Sequence, residues 1–290
     1  MKLIWKFNLV LVTIFVVGFA LTMYVSDRVL KQNAREEIVQ NARVMMESAL
    51  AARSYTSGQV KPLLDNQMKY VFIPQTVPAF AATEQFGQLR KKYADYSYKE
   101  ATLNPTNPRD RATDWETDII NQFRSVAERP EMIGERETPT GRALYLARPI
   151  QIKDPACLQC HSTLEAAPRT MVELYGNANG FGWKLNEVVG AQIVSVPMSV
   201  PIERAERSLK TFMISLAGVF VFTFLILNVM LHTLVIRRIT RLSALADEVS
   251  LGNLDAGEFT TRSKDEIGVL TGALGRMKAS LVQAMRMLNP

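Results

Sequence analysis

Two long uncharged stretches constrain this chain more than any other feature. Phe7 to Ser26 is 20 residues without Asp, Glu, Lys or Arg, and Thr211 to Ile236 is 26. A bilayer core of about 30 Å takes about 20 helical residues to cross, so each stretch can span it once. The chain then divides into an N-terminal span over residues 1–26, an intervening domain over 27–210, a second span over 211–236 and a C-terminal module over 237–290. A cleavable signal peptide competes for the first stretch, since Lys2 and Lys6 give a basic start and Gly18-x-Ala20 is small-x-small. The apolar run continues to Val25, beyond that site, which favours an uncleaved anchor.

Lys2 and Lys6 precede the first stretch, and Arg237, Arg238 and Arg241 follow the second. By the positive-inside rule both ends are cytoplasmic and residues 27 to 210 lie outside. In a bacterium this describes a two-pass inner (plasma) membrane protein with a periplasmic domain. The net charge of +6 is modest and spread along the chain, which gives no nucleic-acid footprint. The juxtamembrane arginines read as topology or headgroup contacts. His232, near the end of the second stretch, is assigned no role.

The periplasmic domain carries Cys157-Leu158-Gln159-Cys160-His161, a C-x-x-C-H pattern that holds the only two cysteines of the chain. The pattern is the attachment signature of a c-type haem. Each thiol can add to one vinyl group of a porphyrin, and the adjacent imidazole becomes the proximal iron ligand. A disulfide or thioredoxin-like pair would leave the histidine unexplained, and no βαβ pattern surrounds it. A structural zinc wants four ligands, whereas Cys157, Cys160 and His161 make three and the other histidine, His232, is remote. The reading is one covalently bound haem c.

The remaining sequence alternates helix and strand. From Phe19 through Ser57 there is neither Gly nor Pro, so the first span continues as one long helix, with Ile38, Ala42, Met45, Ala49 and Ala52 as a narrow stripe suited to close helix contact, as across a dimer. Gly58 and Pro62 end that helix. A helix follows around Ala79 to Tyr93, Asn104 to Pro108 is a turn, and Asp114 to Glu128 is a helix with Trp115, Ile119, Ile120 and Phe123 inward. Ala143 to Ile152 reads as a strand ending at the C-x-x-C-H pattern. Gly180 to Trp183 is a glycine-rich loop carrying a large ring. Glu187 to Met198 is β-branched and apolar, a central strand, and Ile202 to Lys210 leads by helix into the second span.

Beyond Arg237, Val235, Ile239, Leu242, Ala246 and Val249 form one heptad seam, and Ile267, Leu270, Leu274, Met277, Leu281, Ala284 and Leu288 form another. Two short amphipathic helices need a partner to cover their seams, most simply a second copy in a parallel four-helix bundle. With Gly252-Asn253-Leu254 in the connector and Asp265-Glu266-Ile267-Gly268 opening the second helix, this segment resembles a HAMP domain, the relay module of bacterial receptors. It departs from that family at Arg238, which stands about where a proline is usual.

The periplasmic region resembles the DUF3365 family, the Tll0287-like c-type haem sensors, over about residues 40 to 200. The residues that carry the likeness are Arg53-x-Tyr55-Thr56, Pro74-x-Thr76-Val77-Pro78-Ala79, Lys99 to Pro108, Ala147-Arg148-Pro149, Cys157 to His161, Gly180 to Trp183 and Gly190 to Pro197. The resemblance implies an α+β, PAS-like haem domain with the second iron ligand on the long N-terminal helix. In the family that ligand can be a cysteine thiolate, and this chain has no third cysteine. Met46 or Met45 stands at about the matching place, with Met46 preferred and an open or water-bound position as the rival. Arg148 is a candidate partner for a haem propionate, with a surface ion pair as the alternative. Trp183 is a candidate wall of the site or a core residue.

The function expected is a non-enzymatic sensor: a periplasmic haem domain that relays a redox or diatomic-gas signal through the HAMP-like module. As the sequence stops at Pro290, just past that module, the expected recipient is a separate cytoplasmic protein such as a kinase. The alternative is a membrane-anchored monohaem electron-transfer cytochrome, which leaves the relay module unexplained. No acid–base constellation points to an enzyme.

Overall fold

The computed structural model describes residues 3–288 except Ala127, Leu254 and Arg262, with the side chains of Leu3 and Leu288 also left out. Lys2 of the basic start, Leu254 of the connector, the seam side chain of Leu288 and the terminal Pro290 therefore lie outside the described residues. The chain forms two compact units: Asp27–Ser208, and the segments flanking it.

Helix α1 runs from Leu3 to Tyr55, as the absence of Gly and Pro across most of its length predicts. Gly58 and Pro62 do not end the helical path. It passes through a π-helical turn, Thr56–Val60, into α2, Lys61–Met68. The reason is positional: Pro62 falls in the first turn of α2, where a missing N–H costs nothing. After a 3₁₀ turn at Pro74–Thr76, α3 spans Pro78–Arg90, and α4 spans Asp114–Ser125 behind a capping box of Thr113 and Glu116.

One antiparallel sheet takes the order β1-β4-β3-β2, from β1 Ser97–Thr102, β2 Met132–Thr138, β3 Gly141–Gln151 and β4 Val188–Pro197. β4 is central and buried along nearly its whole length, so its apolar run serves both faces. On one face, Ile38, Ala42, Met46 and Ala49 of α1 and Phe86 of α3 pack with Leu144, Leu146, Val194 and Val196. On the other, Ile119, Ile120 and Phe123 of α4 pack with Ala101, Ala147, Ala191 and Ile193. Ion pairs flank the α1 seam: Arg35 with Glu135, Glu37 with Arg204, Arg43 with Glu131, Glu47 with Arg148 and Arg53 with Glu100.

Between β3 and β4 lie the short helices α5, Leu158–His161, and α6, Arg169–Tyr175. Two helical paths, Ile4–Met68 and Ser199–Ser250, are long and apolar enough to cross a membrane. The second consists of α7, Ser199–Met230, a π-helical turn and α8, Arg237–Ser250. Helix α9, Glu266–Leu288, completes the chain. Asp265 caps α9 by accepting from the Gly268 N–H at 2.8 Å, and Arg238 donates to the same carboxylate at 3.0 Å and to Ser263 at 3.1 Å. The residue that stands in place of proline thus ties the start of α8 to the start of α9.

Candidate haem-attachment site

Asp154 and Pro155 start a helical turn. The Asp154 carboxylate accepts from the Ala156 N–H at 2.8 Å, and its carbonyl accepts from the Cys157 N–H at 3.1 Å. A 3₁₀ turn over Pro155–Cys157 passes directly into α5. Cys157 and Cys160 are three residues apart on this helical path, on one side of it, and both thiols are free and partly exposed. Burial pushes both thiols up, Asp154 adding to the effect at Cys157. Arg53 opposes it at Cys157 and Lys61 opposes it at Cys160. The end of α1 and the start of α2 therefore face the thiols electrostatically.

His161 is held on three sides. Its Nδ1 lies 2.7 Å from the Gly180 carbonyl oxygen and 3.4 Å from Thr106 Oγ1. A carbonyl only accepts, so Nδ1 carries the hydrogen and Nε2 is left as the ligating nitrogen. Burial lowers the pKa of the ring, against the opposing pull of the Gly180 hydrogen bond, which favours the neutral form that binds metal. The Trp183 ring stacks on the imidazole with centroids 4.0 Å apart and planes 14° apart. The backbone closes the contact, Trp183 N donating to His161 O at 3.1 Å and Gly182 N to Ser162 O at 2.9 Å.

Gly180 is fixed by this geometry. Its φ is +90°, and a Cβ there would stand 2.1 Å from Thr106 Oγ1 and 2.9 Å from Thr106 Cα. Asn104, two residues before Thr106, accepts from Gly180 N at 3.1 Å and donates to Phe181 O at 3.0 Å. The turn after β1 thus grips the loop that grips the histidine.

Nearby on the α1 side sits a buried polar chain. Arg53 donates to both carboxylate oxygens of Glu100, Tyr98 donates to Glu100 at 2.7 Å, and Gln192 donates to the Tyr98 oxygen at 3.1 Å. Burial works against the Arg53 charge, but Glu100, Tyr98 and Cys157 together raise its pKa. Burial and then Glu100 raise that of Tyr98.

The structure brings Cys157, Cys160, His161 and Trp183 together. The other candidates lie on α1, as Met45 and Met46, and on β3, as Arg148. Met46 is fully buried in the apolar cluster on the α1 face, and Met45 packs against that cluster, to which no residue of the C-x-x-C-H pattern belongs. The Arg148 guanidinium is engaged by Glu47 at 2.7 Å and by Glu131 at 3.1 Å, the ion-pair alternative to a propionate contact. The partners of His161 on the Asn104–Thr106 turn and at Gly180 were not singled out by sequence. The signal was there in Asn-Pro-Thr-Asn-Pro and in the glycines, but side-chain bonds across 55 to 77 residues leave no periodic trace.

The residues fit a covalently held porphyrin. The two thiols are free, one imidazole nitrogen is free, and an aromatic wall orients the ring. Among the described residues no group of three or more His, Cys, Asp or Glu side chains converges to hold a metal ion, so the motif does not gather on one point as a four-ligand zinc site requires.

The Tll0287-like family profile matches residues 31–197 and the HAMP domain profile matches residues 230–283. The crystal structure of a cyanobacterial heme-protein, Tll0287, is similar over 56% of this chain and 95% of that one, at 17% identity and a TM-score of 0.44. No curated protein matches the chain.

Proposed function

The chain belongs to the Tll0287-like family and carries a HAMP domain, and from this premise we propose that it is a membrane-bound haem sensor. Its PAS-like domain lies in the periplasm of a two-pass inner-membrane protein. It relays a redox or diatomic-gas signal through the HAMP domain to a separate cytoplasmic partner such as a kinase. One observation carries the haem assignment: a C-x-x-C-H turn with free thiols, whose histidine has Nδ1 on the Gly180 carbonyl and its ring on Trp183. The mixed architecture, one sheet in which the first and last strands are neighbours with helices on both faces, supports the PAS-like reading.

Cys157 and Cys160 would hold haem c by thioethers and His161 Nε2 would ligate the iron. Bound there, the haem would supply an iron centre whose oxidation state or second axial position can change. The chain's own residues do the rest. Gly180 and Trp183 fix the imidazole, and Arg53 and Lys61 place positive charge beside the thiols. Arg53 is on α1, the helix that also contains the first apolar stretch, so a change of charge at the site acts on a helix that is covalently continuous with it. The seams of α8 and α9 pair with a second copy.

Absorption spectra of the haem-matured full chain, ferric and ferrous, with and without carbon monoxide or nitric oxide, test the reading. Covalent haem lost in Cys157→Ala and Cys160→Ala supports it; a wild-type chain with no covalent haem ends it. Met46→Ala and Met45→Ala address the second ligand: unchanged spectra leave an open position, and altered spectra assign the ligand. Gas binding by the ferrous form separates a gas sensor from a redox sensor. A haem that reports no change to the HAMP domain in either state favours the electron-transfer cytochrome.

A further inference from the structure

We propose that Asn104 is the positioning residue that sets how strongly His161 donates to iron, an inference that rests on the haem reading above. The argument is a chain of bonds from the sheet to the imidazole. The residues after β1 are anchored first, Leu103 N donating to Val189 O at 3.3 Å and Ala112 N to Thr102 O at 3.0 Å. Asn104 and Asn107 both precede proline, which restricts the backbone of the turn. From this fixed point the Asn104 amide takes Gly180 N with its oxygen and Phe181 O with its nitrogen.

Those two backbone groups bracket the peptide between Gly180 and Phe181. That peptide's carbonyl is the acceptor for His161 Nδ1. The amide therefore fixes the plane of the peptide on both sides, and with it the direction in which the carbonyl points. The positive φ of Gly180 and its close approach to Thr106 exclude any side chain at this position. Asn104 touches neither the imidazole nor the thiols in any described hydrogen bond; it acts through the acceptor.

A proximal histidine that donates Nδ1–H to a well-oriented acceptor is a stronger base toward the metal, and its outer partner is typically worth 10–100-fold. A stronger base favours the ferric ion. Removing the amide loosens the carbonyl, weakens the hydrogen bond and shifts the couple toward ferrous.

The test uses the haem-matured full chain as wild type, Asn104→Ala and Asn107→Ala. Asn107 is the internal control, because its side chain accepts from Arg109 N within the same turn. The expected result is covalent haem in all three, with Asn104→Ala raising the ferrous-to-ferric ratio at fixed potential about tenfold, which is about 59 mV for a one-electron couple. Asn107→Ala leaves the ratio unchanged. A ratio in Asn104→Ala equal to wild type, at full haem content, overturns the proposal; so does an equal shift in both variants. If Asn104→Ala does not accumulate, Asn104→Ser keeps a smaller polar group. The nitrogen-15 NMR signal of its His161 Nδ1–H then decides, weakened hydrogen bonding supporting the proposal and a wild-type signal overturning it. A wild-type chain without covalent haem would instead remove the reading beneath the proposal, an outcome distinct from either.

Discussion

The domain over Asp27–Ser208 and the helices α8 and α9 bury their apolar residues differently. In the domain, Leu144, Leu146, Val194 and Val196 are fully covered by elements of the same chain. In α8 and α9 Leu242 and Val249 are buried, but other heptad residues stay open, with Ile239 at 42%, Leu270 at 47%, Met277 at 57% and Leu281 at 43% exposure. A single sequence therefore contains one part that completes its own core and one part whose seam stays partly uncovered. The first resists change through close packing; if the second pairs as proposed above, its stability depends on concentration.

The comparison breaks most sharply at Arg53. Arg53→Met leaves the buried Glu100 carboxylate without its cation, and removal of one member of a buried pair costs about 3–5 kcal/mol. Denaturant unfolding of the full chain should show that loss, and recovery in the double variant Arg53→Met/Glu100→Leu would confirm that the stranded charge is its source. Next comes Leu146→Ala, a fully buried truncation expected to cost about 2–5 kcal/mol at any protein concentration. The contrasting variant, Leu281→Ala, should leave unfolding of the domain unchanged and shift the sedimentation profile toward monomer.

A smaller effect is expected with pH. Burial pushes the Asp110 carboxyl up to about 6 from 3.8. The folded chain then holds this proton more tightly than the unfolded chain. Its contribution is fully present below about pH 4 and is lost as pH rises through 6. Allowing for partial exposure of the group, Asp110→Asn should remove up to about 2 kcal/mol of this pH dependence, measured as the difference in unfolding free energy between pH 4.5 and 7.

Much of the fold was legible because it obeys periodicity. The long helix α1 follows from the absence of breakers, and β4 from a β-branched apolar run. β1 and β2 were not read as strands. β1 pairs Lys99 with Glu116 on one face and Glu100 with Arg53 on the other, and its buried residues Tyr98, Glu100, Ala101 and Thr102 mix polar and apolar side chains without alternation. β2 is an edge strand with Glu135, Arg136 and Glu137, the charged pattern that discourages edge pairing. At the site, the C-x-x-C-H spacing points to the haem chemistry proposed above, whereas the sequence leaves the roles of Met46 and Arg148 open. A thioether in a core and one on iron share a sequence, as do a guanidinium on Glu131 and one on a propionate. Spectra of the Met46→Ala variant would separate the first pair.

The α1 seam has a last consequence. Ala34, Ala42 and Ala49 present methyl groups to the domain between the larger Ile38 and Met46, and the flanking ion pairs other than Arg53–Glu100 have at least one partner about half exposed or more. Exposed pairs weaken as the Debye length shortens, from about 10 Å at 0.1 M salt to about 3 Å at 1 M. The grip on this rod is thus partly written in the ionic strength of the water around it.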